Sequence, residues 1–346
     1  MSGPALVTGA SGFLGRPLLA ALLAAGRPVT VLCRRPEDLA PFAGLRIVQG
    51  DLRDPSAWKS LLAPGLAVFH LAAARSLPGV SLRELEEVNV AATLGFARQA
   101  AEAGVARFVH VATALVYGPA SDRRPRTEQD ELQDRPGEAG HFSAYVRTRA
   151  AALRGIRELV RAGLPAVTVC PSVIYGPDAP GHPNRVTSEI RRLLRTRFEV
   201  RIGGGRAPRD LVHVDDVVRG LLLAGERGAP GDELILGGEA ATPRDFARQV
   251  FAAAGARPRG VLPVPAGPAL AAARFADRLG GSDPGCGRTA AVRTLLLPWI
   301  FSSERARRRL GYRSTPLAEG LARTVRWLVS MGDEMKESDS RNGRAA

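Results

Sequence analysis

Short apolar runs alternate with stretches of helical periodicity along the first half of the chain. Ala5-Leu6-Val7-Thr8 reads as a buried strand. Phe13, Leu14, Leu18, Leu19, Leu22 and Leu23 then recur at helical spacing until Gly26 ends the run. Further strands are expected at 28–33, 45–49, 66–71, 107–111 and 166–169, with helices over 82–103 and 144–162 between the later ones. This β-α alternation predicts an α/β protein built on a doubly wound parallel sheet. After Gly176 the rhythm breaks. A helical piece near 185–197 precedes short strands at 211–214 and 233–236, and the chain to about 328 reads as helix and loop. From Met331 onward the sequence is polar without hydrophobic period, which predicts a disordered tail over 329–346.

Between the first strand and the first helix stands Thr8-Gly9-Ala10-Ser11-Gly12-Phe13-Leu14-Gly15. Strand, glycine turn and helix together form a dinucleotide grip. Gly9 suits the tight turn, Gly12 lets backbone approach a pyrophosphate, and Gly15 lets helix and strand pack closely. The helix N-terminus offers unpaired N–H groups and a positive dipole end to the phosphates. Pro17 is tolerated there because the first turn has no N–H partners to lose.

Composition narrows the field. The 346 residues carry a formal charge of +14, yet only Lys59 and Lys336 are lysines, so the basic excess is almost all arginine. With abundant Ala, Gly and Pro, that imbalance matches GC-rich codon usage. The clusters Arg191-Arg192-Leu193-Leu194-Arg195-Thr196-Arg197 and Arg305-Ala306-Arg307-Arg308-Arg309 read as solvated helix faces. Aromatics are 5% of residues, too few for base-stacking platforms, so nucleic acid is not the expected partner. Attraction to an anionic substrate or to a membrane surface fits the charge better. No run is long and apolar enough to span a bilayer, and the first strand begins too early for a signal peptide. Cys33, Cys170 and Cys286 are scattered without metal or disulfide spacing, as suits a reducing cytoplasm; no metal site is expected.

The ordered motifs resemble the extended branch of the short-chain dehydrogenase/reductases, which includes nucleotide-sugar epimerases and dehydratases, dihydroflavonol reductases and 3β-hydroxysteroid dehydrogenases. The likeness spans residues 4–328. It rests on the glycine turn, Gly50-Asp51-Leu52-Arg53-Asp54, His70-Leu71-Ala72-Ala73, Asn89-Val90-Ala91-Ala92-Thr93, Val116-Tyr117-Gly118, Tyr145-x-x-x-Arg149, Pro171-x-x-x-Tyr175-Gly176-Pro177 and Arg209-Asp210-Leu211-Val212-His213-Val214-Asp215-Asp216. The resemblance implies a Rossmann-type dinucleotide-binding domain over 1–175, to which 209–238 returns. A smaller substrate-binding lobe would come from 176–208 and 239–328. It also implies a homodimer through helices 82–103 and 144–162.

Roles carry over by position. The resemblance assigns cofactor binding to Gly9, Ser11, Gly12, Phe13, Leu14, Gly15, Arg34, Arg35, Asp51, Leu52, Ala72, Ala73, Asn89 and Pro171. Asp51 would meet the adenine amino group, with Leu52 beside the ring. At the end of the second strand, where an acid usually accepts the ribose hydroxyls of NAD, stand Cys33-Arg34-Arg35, with no acid before Glu37. Guanidinium groups suit a 2′-phosphate, so NADP(H) is the expected cofactor, with NAD(H) as the alternative.

For chemistry the resemblance points to Thr113 and Tyr145 meeting at a substrate oxygen, with Arg149 where the family has lysine. A phenol is a poor base near neutral pH, its free pKa being ~10, and a cation at i+4 on the same helical face favours phenolate. Arginine keeps the charge but cannot relay a proton. Tyr117 and Tyr175 would shape the cleft floor, and Arg209 would approach a substrate phosphate. His213, Asp215 and Asp216 read as a structural strand-to-helix junction, and Gly203-Gly204-Gly205 as a flexible loop. Three functions fit: an NADPH-dependent ketone or aldehyde reductase, a nucleotide-sugar epimerase or dehydratase that retains NAD, and a dinucleotide-binding scaffold whose chemistry Arg149 impairs.

Overall fold

The computed structural model describes residues 3–39, 42–75, 79–120, 124–133, 143–178, 182–280 and 285–342, with 332–342 described by backbone alone. Its centre is a sheet of β1 (Ala5–Thr8), β2 (Val29–Cys33), β3 (Leu45–Gln49), β4 (Ala67–His70), β5 (Arg107–Val111), β6 (Ala166–Pro171) and β10 (Glu233–Leu236). The spatial order is β3-β2-β1-β4-β5-β6-β10, and every neighbouring pair is parallel. β1, β4 and β6 are buried along their whole length, which explains their unbroken apolar runs. This is a Rossmann-type sheet, and its order reverses between β1 and β4. At such a switch point the loops leave in opposite directions and open a crevice at the carboxyl ends of the strands.

One face of the sheet packs α1 (Gly15–Ala24) and α6 (Val214–Arg227) into a core with Leu18, Leu22, Val217 and Leu221. The other face packs α3 (Thr93–Glu102) and α4 (Ala144–Arg161) through Phe96, Ala97 and Ile156. α3 continues without a break from α2 (Leu82–Glu86) through a π-helical segment, Glu87–Ala92.

Of the remaining elements, α10 (Glu304–Leu310) packs on α6 and β10 through Ala306 and Leu310, and the others form small sheets and helices outside the central sheet. β7 (Val173–Tyr175), β9 (Arg209–His213) and β11 (Glu239–Ala241) form a three-stranded sheet, and β8 (Phe198–Ile202) pairs with β12 (Gly260–Val264). So β10 joins the central sheet whereas β9 does not. α5 (Arg185–Thr196), α7 (Pro243–Ala253) and α11 (Leu317–Asn342) meet in a separate core around Ile190, Phe246, Leu317 and Leu321. α8 (Ala266–Leu279) and α9 (Arg288–Leu295) complete the set.

Two expectations change. Gly203–Gly205 is a 3-10 turn joining β8 to β9, not a loose loop. The segment expected to be a disordered tail is helical as far as Asn342, because α11 is nucleated on buried Leu317, Leu321 and Val325. Extending a formed helix adds one hydrogen bond per residue fixed, and no proline interrupts it. Residues 343–346 of that tail lie outside the described residues.

Candidate active site and cofactor cleft

A cleft of about 680 Å³ opens at the β1/β4 switch point. Its floor begins with the glycine turn. Gly9 has φ +72°, and a Cβ there would lie 2.6 Å from the Ala72 amide nitrogen; a Cβ on Gly15 would overlap the Gly9 carbonyl. The loops after β1 and β4 are thus packed backbone to backbone, and Thr8 Oγ1 ties them by accepting from the Ala72 amide at 3.4 Å. No side chain caps the N-terminus of α1, unlike α4, α5 and α7, which Ser143, Asn184 and Thr242 cap. An uncapped N-terminus behind a glycine turn, with backbone where side chains would intrude, fits a pyrophosphate.

Gly9, Ser11, Gly12, Phe13, Leu14, Gly15, Arg34, Arg35, Asp51, Leu52, Ala72, Ala73 and Pro171 all line this cleft, as do Thr113, Tyr145, Arg149 and Arg209. The Asp51 carboxylate accepts from the Arg53 amide at 2.8 Å and from its guanidinium at 3.0 and 2.8 Å. The Arg53 guanidinium, the largest influence, holds the Asp51 carboxyl down at about 2. At the end of β2 Arg34 and Arg35 are exposed, and Arg35 pairs with Asp38 at 3.1 Å.

Three predicted residues lie elsewhere. Asn89 is fully buried and has its polar atoms engaged by protein. Its Oδ1 accepts from the Ala74 amide (2.8 Å), and its Nδ2 donates to the Ala74 carbonyl and to Thr148 Oγ1 (both 3.1 Å). Thr148 Oγ1 in turn donates to the Tyr145 carbonyl at 3.0 Å. Asn89 therefore positions the start of α4 and the loop after β4, and the π-helical segment turns it inward. Tyr117 does not reach the cleft: its hydroxyl donates to Glu233 Oε2 at 2.9 Å inside the core. Tyr175 is buried edge-on against His213, ring centroids 5.3 Å apart.

Sequence reasoning missed several cleft residues. Asp38 sits in a 3-10 turn, Pro36–Leu39, and lines the cleft, unlike Glu37. Val173, Ile174, Leu295, Leu297 and Trp299 build an apolar wall. The Trp299 indole donates to the Thr294 carbonyl at 2.8 Å, which satisfies its one polar atom and presents the ring as hydrocarbon. Arg209, by contrast, is engaged. Its guanidinium bonds Glu189 at 2.8 Å and lies 4.8 Å from the Phe246 ring centroid. His213 accepts from the Asp215 amide at 3.3 Å as the N-cap of α6, and buried Asp216 accepts from the Thr315 amide at 2.7 Å, so that motif does structural work.

Arg149 is 2% exposed. One of its amino groups donates to the Val111 carbonyl, while Nε and Nη1 are buried without a hydrogen-bond partner. Burial lowers its pKa below the usual arginine value, and attraction to Tyr145 and then Cys170 offsets part of that. Two orphaned donors at the inner end of a nucleotide-shaped cleft fit a cofactor whose ribose hydroxyls and amide are acceptors.

Beneath the sheet His70 and His110 stack with centroids 6.2 Å apart. His70 bonds Thr8 Oγ1 at 2.8 Å and Thr93 Oγ1 at 3.1 Å, bracing the crevice. Burial first and the Arg149 charge second pull His70 down to about 3, and the same causes hold His110 well below the usual value. The unfolded chain protonates these rings near ~6.5, so below that pH it binds more protons than the folded chain. Folding stability should therefore fall as pH drops from ~6.5, by up to ~1.4 kcal/mol per pH unit for each ring. Urea melts between pH ~6 and ~5 should show this slope, and His70→Gln should remove one proton's share of it. A slope unaltered by the substitution would refute the neutral-imidazole assignment.

The chain belongs to the NAD dependent epimerase/dehydratase family, whose family model matches residues 5–237. It is an NAD(P)-dependent enzyme of the extended short-chain dehydrogenase/reductase type. A 4-hydroxy-2-methyl-3-oxo-4-farnesyl-3,4-dihydroquinoline-1-oxide ketoreductase from Stigmatella aurantiaca is 31% identical over 313 residues, covering 88% of this chain and 90% of its own. Sterol demethylase protein B from Methylococcus capsulatus is 34% identical over 240 residues, 68% of this chain and 70% of its own. A solved dTDP-glucose 4,6-dehydratase double mutant from Streptomyces venezuelae, with NAD and DAU bound, matches with a TM-score of 0.72. It is 30% identical, over 93% of this chain and 96% of that one.

Proposed function

We propose that this enzyme is an NADP(H)-dependent oxidoreductase that reduces the ketone or aldehyde of a lipophilic substrate, or oxidises the matching alcohol. The observation that carries the reading is a single cleft lined by Thr113 and Tyr145 together with the apolar side chains of Val173, Leu295, Leu297 and Trp299. Arg209, the cation expected to meet a substrate diphosphate, has one amino group on Glu189, while its Nε is buried without a hydrogen-bond partner, so the apolar wall and not Arg209 carries the distinction from a sugar diphosphate. The similarity to a ketoreductase whose substrate carries a farnesyl chain supports the same class.

When bound, the nicotinamide supplies hydride. The chain's residues do the rest. Thr113 Oγ1 and the Tyr145 hydroxyl donate to the carbonyl oxygen and hold it in place, and the Tyr145 phenol gives up its proton as that oxygen becomes an alcohol. Arg149 stabilises the resulting phenolate by its charge. Since arginine does not deprotonate, the proton that restores the phenol comes from solvent. Arg34 would take the 2′-phosphate, with Arg35 paired to Asp38 and Arg53 paired to Asp51, the carboxylates of the cleft on that side.

Denaturing the purified protein and weighing any released nucleotide, followed by NADPH and NADH titration of the emptied protein, tests this reading. We expect no retained NAD, NADPH bound more tightly than NADH, and turnover of lipophilic ketones. Arg34→Ala should narrow the cofactor preference by about tenfold, the worth of one charge-assisted contact. Tightly retained NAD would instead favour an epimerase or dehydratase, and binding of neither nucleotide would favour a scaffold.

A further inference from the structure

One helix that lines the cleft is flanked by a helix with an exposed apolar face. Ala291, Thr294 and Leu295 of α9 line the cleft, and α8 packs directly against α9. Yet α8 buries only Ala273. Phe275 is 64% exposed and Leu279 76%, one helical turn apart and hence on the same side of α8. On β12, just before it, Val261 is 40% and Leu262 50% exposed. Seven large apolar side chains are exposed among the described residues, and five lie on β8, β12 and α8. Scattered apolar residues on a surface call for no explanation, but a concentration on a helix packed against the cleft-lining α9 and on the strand just before that helix does.

The charges around this patch select its occupant. Between 257 and 295 the chain carries six arginines and two aspartates. Arg257, Arg259, Arg274, Arg278 and Arg288 are exposed, and Arg274 and Arg278 directly precede Phe275 and Leu279. Asp277 is turned to other work: its carboxylate accepts the Arg288 and Thr289 amides at 2.7 and 2.8 Å and caps α9. Asp283 lies outside the described residues. Apolar side chains interleaved with arginine on a short helix are the composition of an element that lies in a membrane interface. No helix among the described residues is long and apolar enough to cross a membrane.

We propose that α8 and β12 dock this enzyme on an anionic lipid surface, with Phe275 and Leu279 entering the headgroup boundary and the arginines meeting lipid phosphate. Docking there places the cleft mouth against the phase into which a lipophilic ketone partitions, and this purpose rests on the substrate class proposed above. The docking itself does not depend on catalysis.

Co-sedimentation of the full chain with phosphatidylcholine vesicles, with and without phosphatidylglycerol, tests the surface. The protein should pellet with the anionic vesicles, stay in solution with the neutral ones, and be released by about 0.5 M NaCl, which screens the arginines. Phe275→Ser/Leu279→Ser and Arg274→Glu/Arg278→Glu should each lower partitioning by about tenfold or more. NADPH titration curves should be the same for all three proteins, which shows that the variants are folded. Failure of the parent to pellet with anionic vesicles, or unaltered pelleting of both variants, overturns the proposal. So does a parent dimer that Phe275→Ser/Leu279→Ser splits into monomers without any vesicle binding, since a second copy would then own the patch. Vesicle binding by a protein that reduces no lipophilic ketone leaves the docking surface standing and sinks the substrate reading alone.

Discussion

Tyr145→Phe should slow carbonyl reduction by about 10²–10⁴-fold and leave NADPH affinity unchanged. The substitution removes one hydroxyl from a half-buried ring at the start of α4 and keeps the ring's packing. What it takes away is the proton donor, whose loss typically costs about 10²–10⁴ in rate. Thr113 would still hold the carbonyl oxygen, so a small residual rate should survive without pH dependence from a phenol. Two readouts separate chemistry from structure. Steady-state turnover reports the proton donor, and a fluorescence titration with NADPH reports the glycine turn and Arg34, which Tyr145 does not touch in sequence or fold. Unchanged turnover would remove Tyr145 from the mechanism. Lost affinity with lost turnover would mean that α4 moved, and the Asn89–Thr148 bonds that position its first turn would be the place to look.

The cleft was legible wherever one local pattern sufficed. Buried strands read as apolar runs, and a strand–glycine turn–helix sequence specifies its own geometry, so β1 and its turn stood out in the sequence. Fully buried β4 and β6 did so for the same reason. β7, β8, β11 and β12 were not legible. They are three to five residues long and owe their pairing to partners distant in the chain, and β8, β11 and β12 also carry Arg, Glu or Pro. The apolar wall was hidden because Trp299 and Leu297 arrive from the far end of the sequence, and only the tertiary fold brings them into the same cleft as Tyr145. Asp38 was invisible for a different reason. A 3-10 turn chose it over Glu37 as the residue that faces the cleft, and one residue's rotation in a turn leaves no periodic trace. Tyr117 and Tyr175 mark the converse limit: a motif located them correctly, but burial, not sequence position, decides whether a hydroxyl can meet a substrate.

Arg149 separates activity from stability, and Arg149→Met should move them in opposite directions. The guanidinium is 2% exposed, with one donor on the Val111 carbonyl and Nε and Nη1 unpartnered by protein. An uncompensated buried charge costs several kcal/mol, whereas stranding the Val111 carbonyl costs about 1–3 kcal/mol. The charge is the larger of the two, so methionine, of similar length and apolar, should raise the melting temperature. The same change deletes the cation that favours the Tyr145 phenolate, and turnover should fall by about 10²-fold. Arg149→Lys completes the test, because lysine restores both the charge and a group able to release a proton. That variant should be at least as active as the parent. Calorimetry and steady-state kinetics on the three proteins decide the matter. A methionine variant that melts lower than the parent would mean that Arg149 is a structural cation, better satisfied than its two orphaned donors indicate. An inactive lysine variant would mean that the site has been rebuilt around a planar guanidinium, which neither the charge nor the proton of lysine can replace. A rise in stability with a fall in rate would assign the unpartnered donors to the cofactor, as a cost carried by the empty fold for the sake of the bound one.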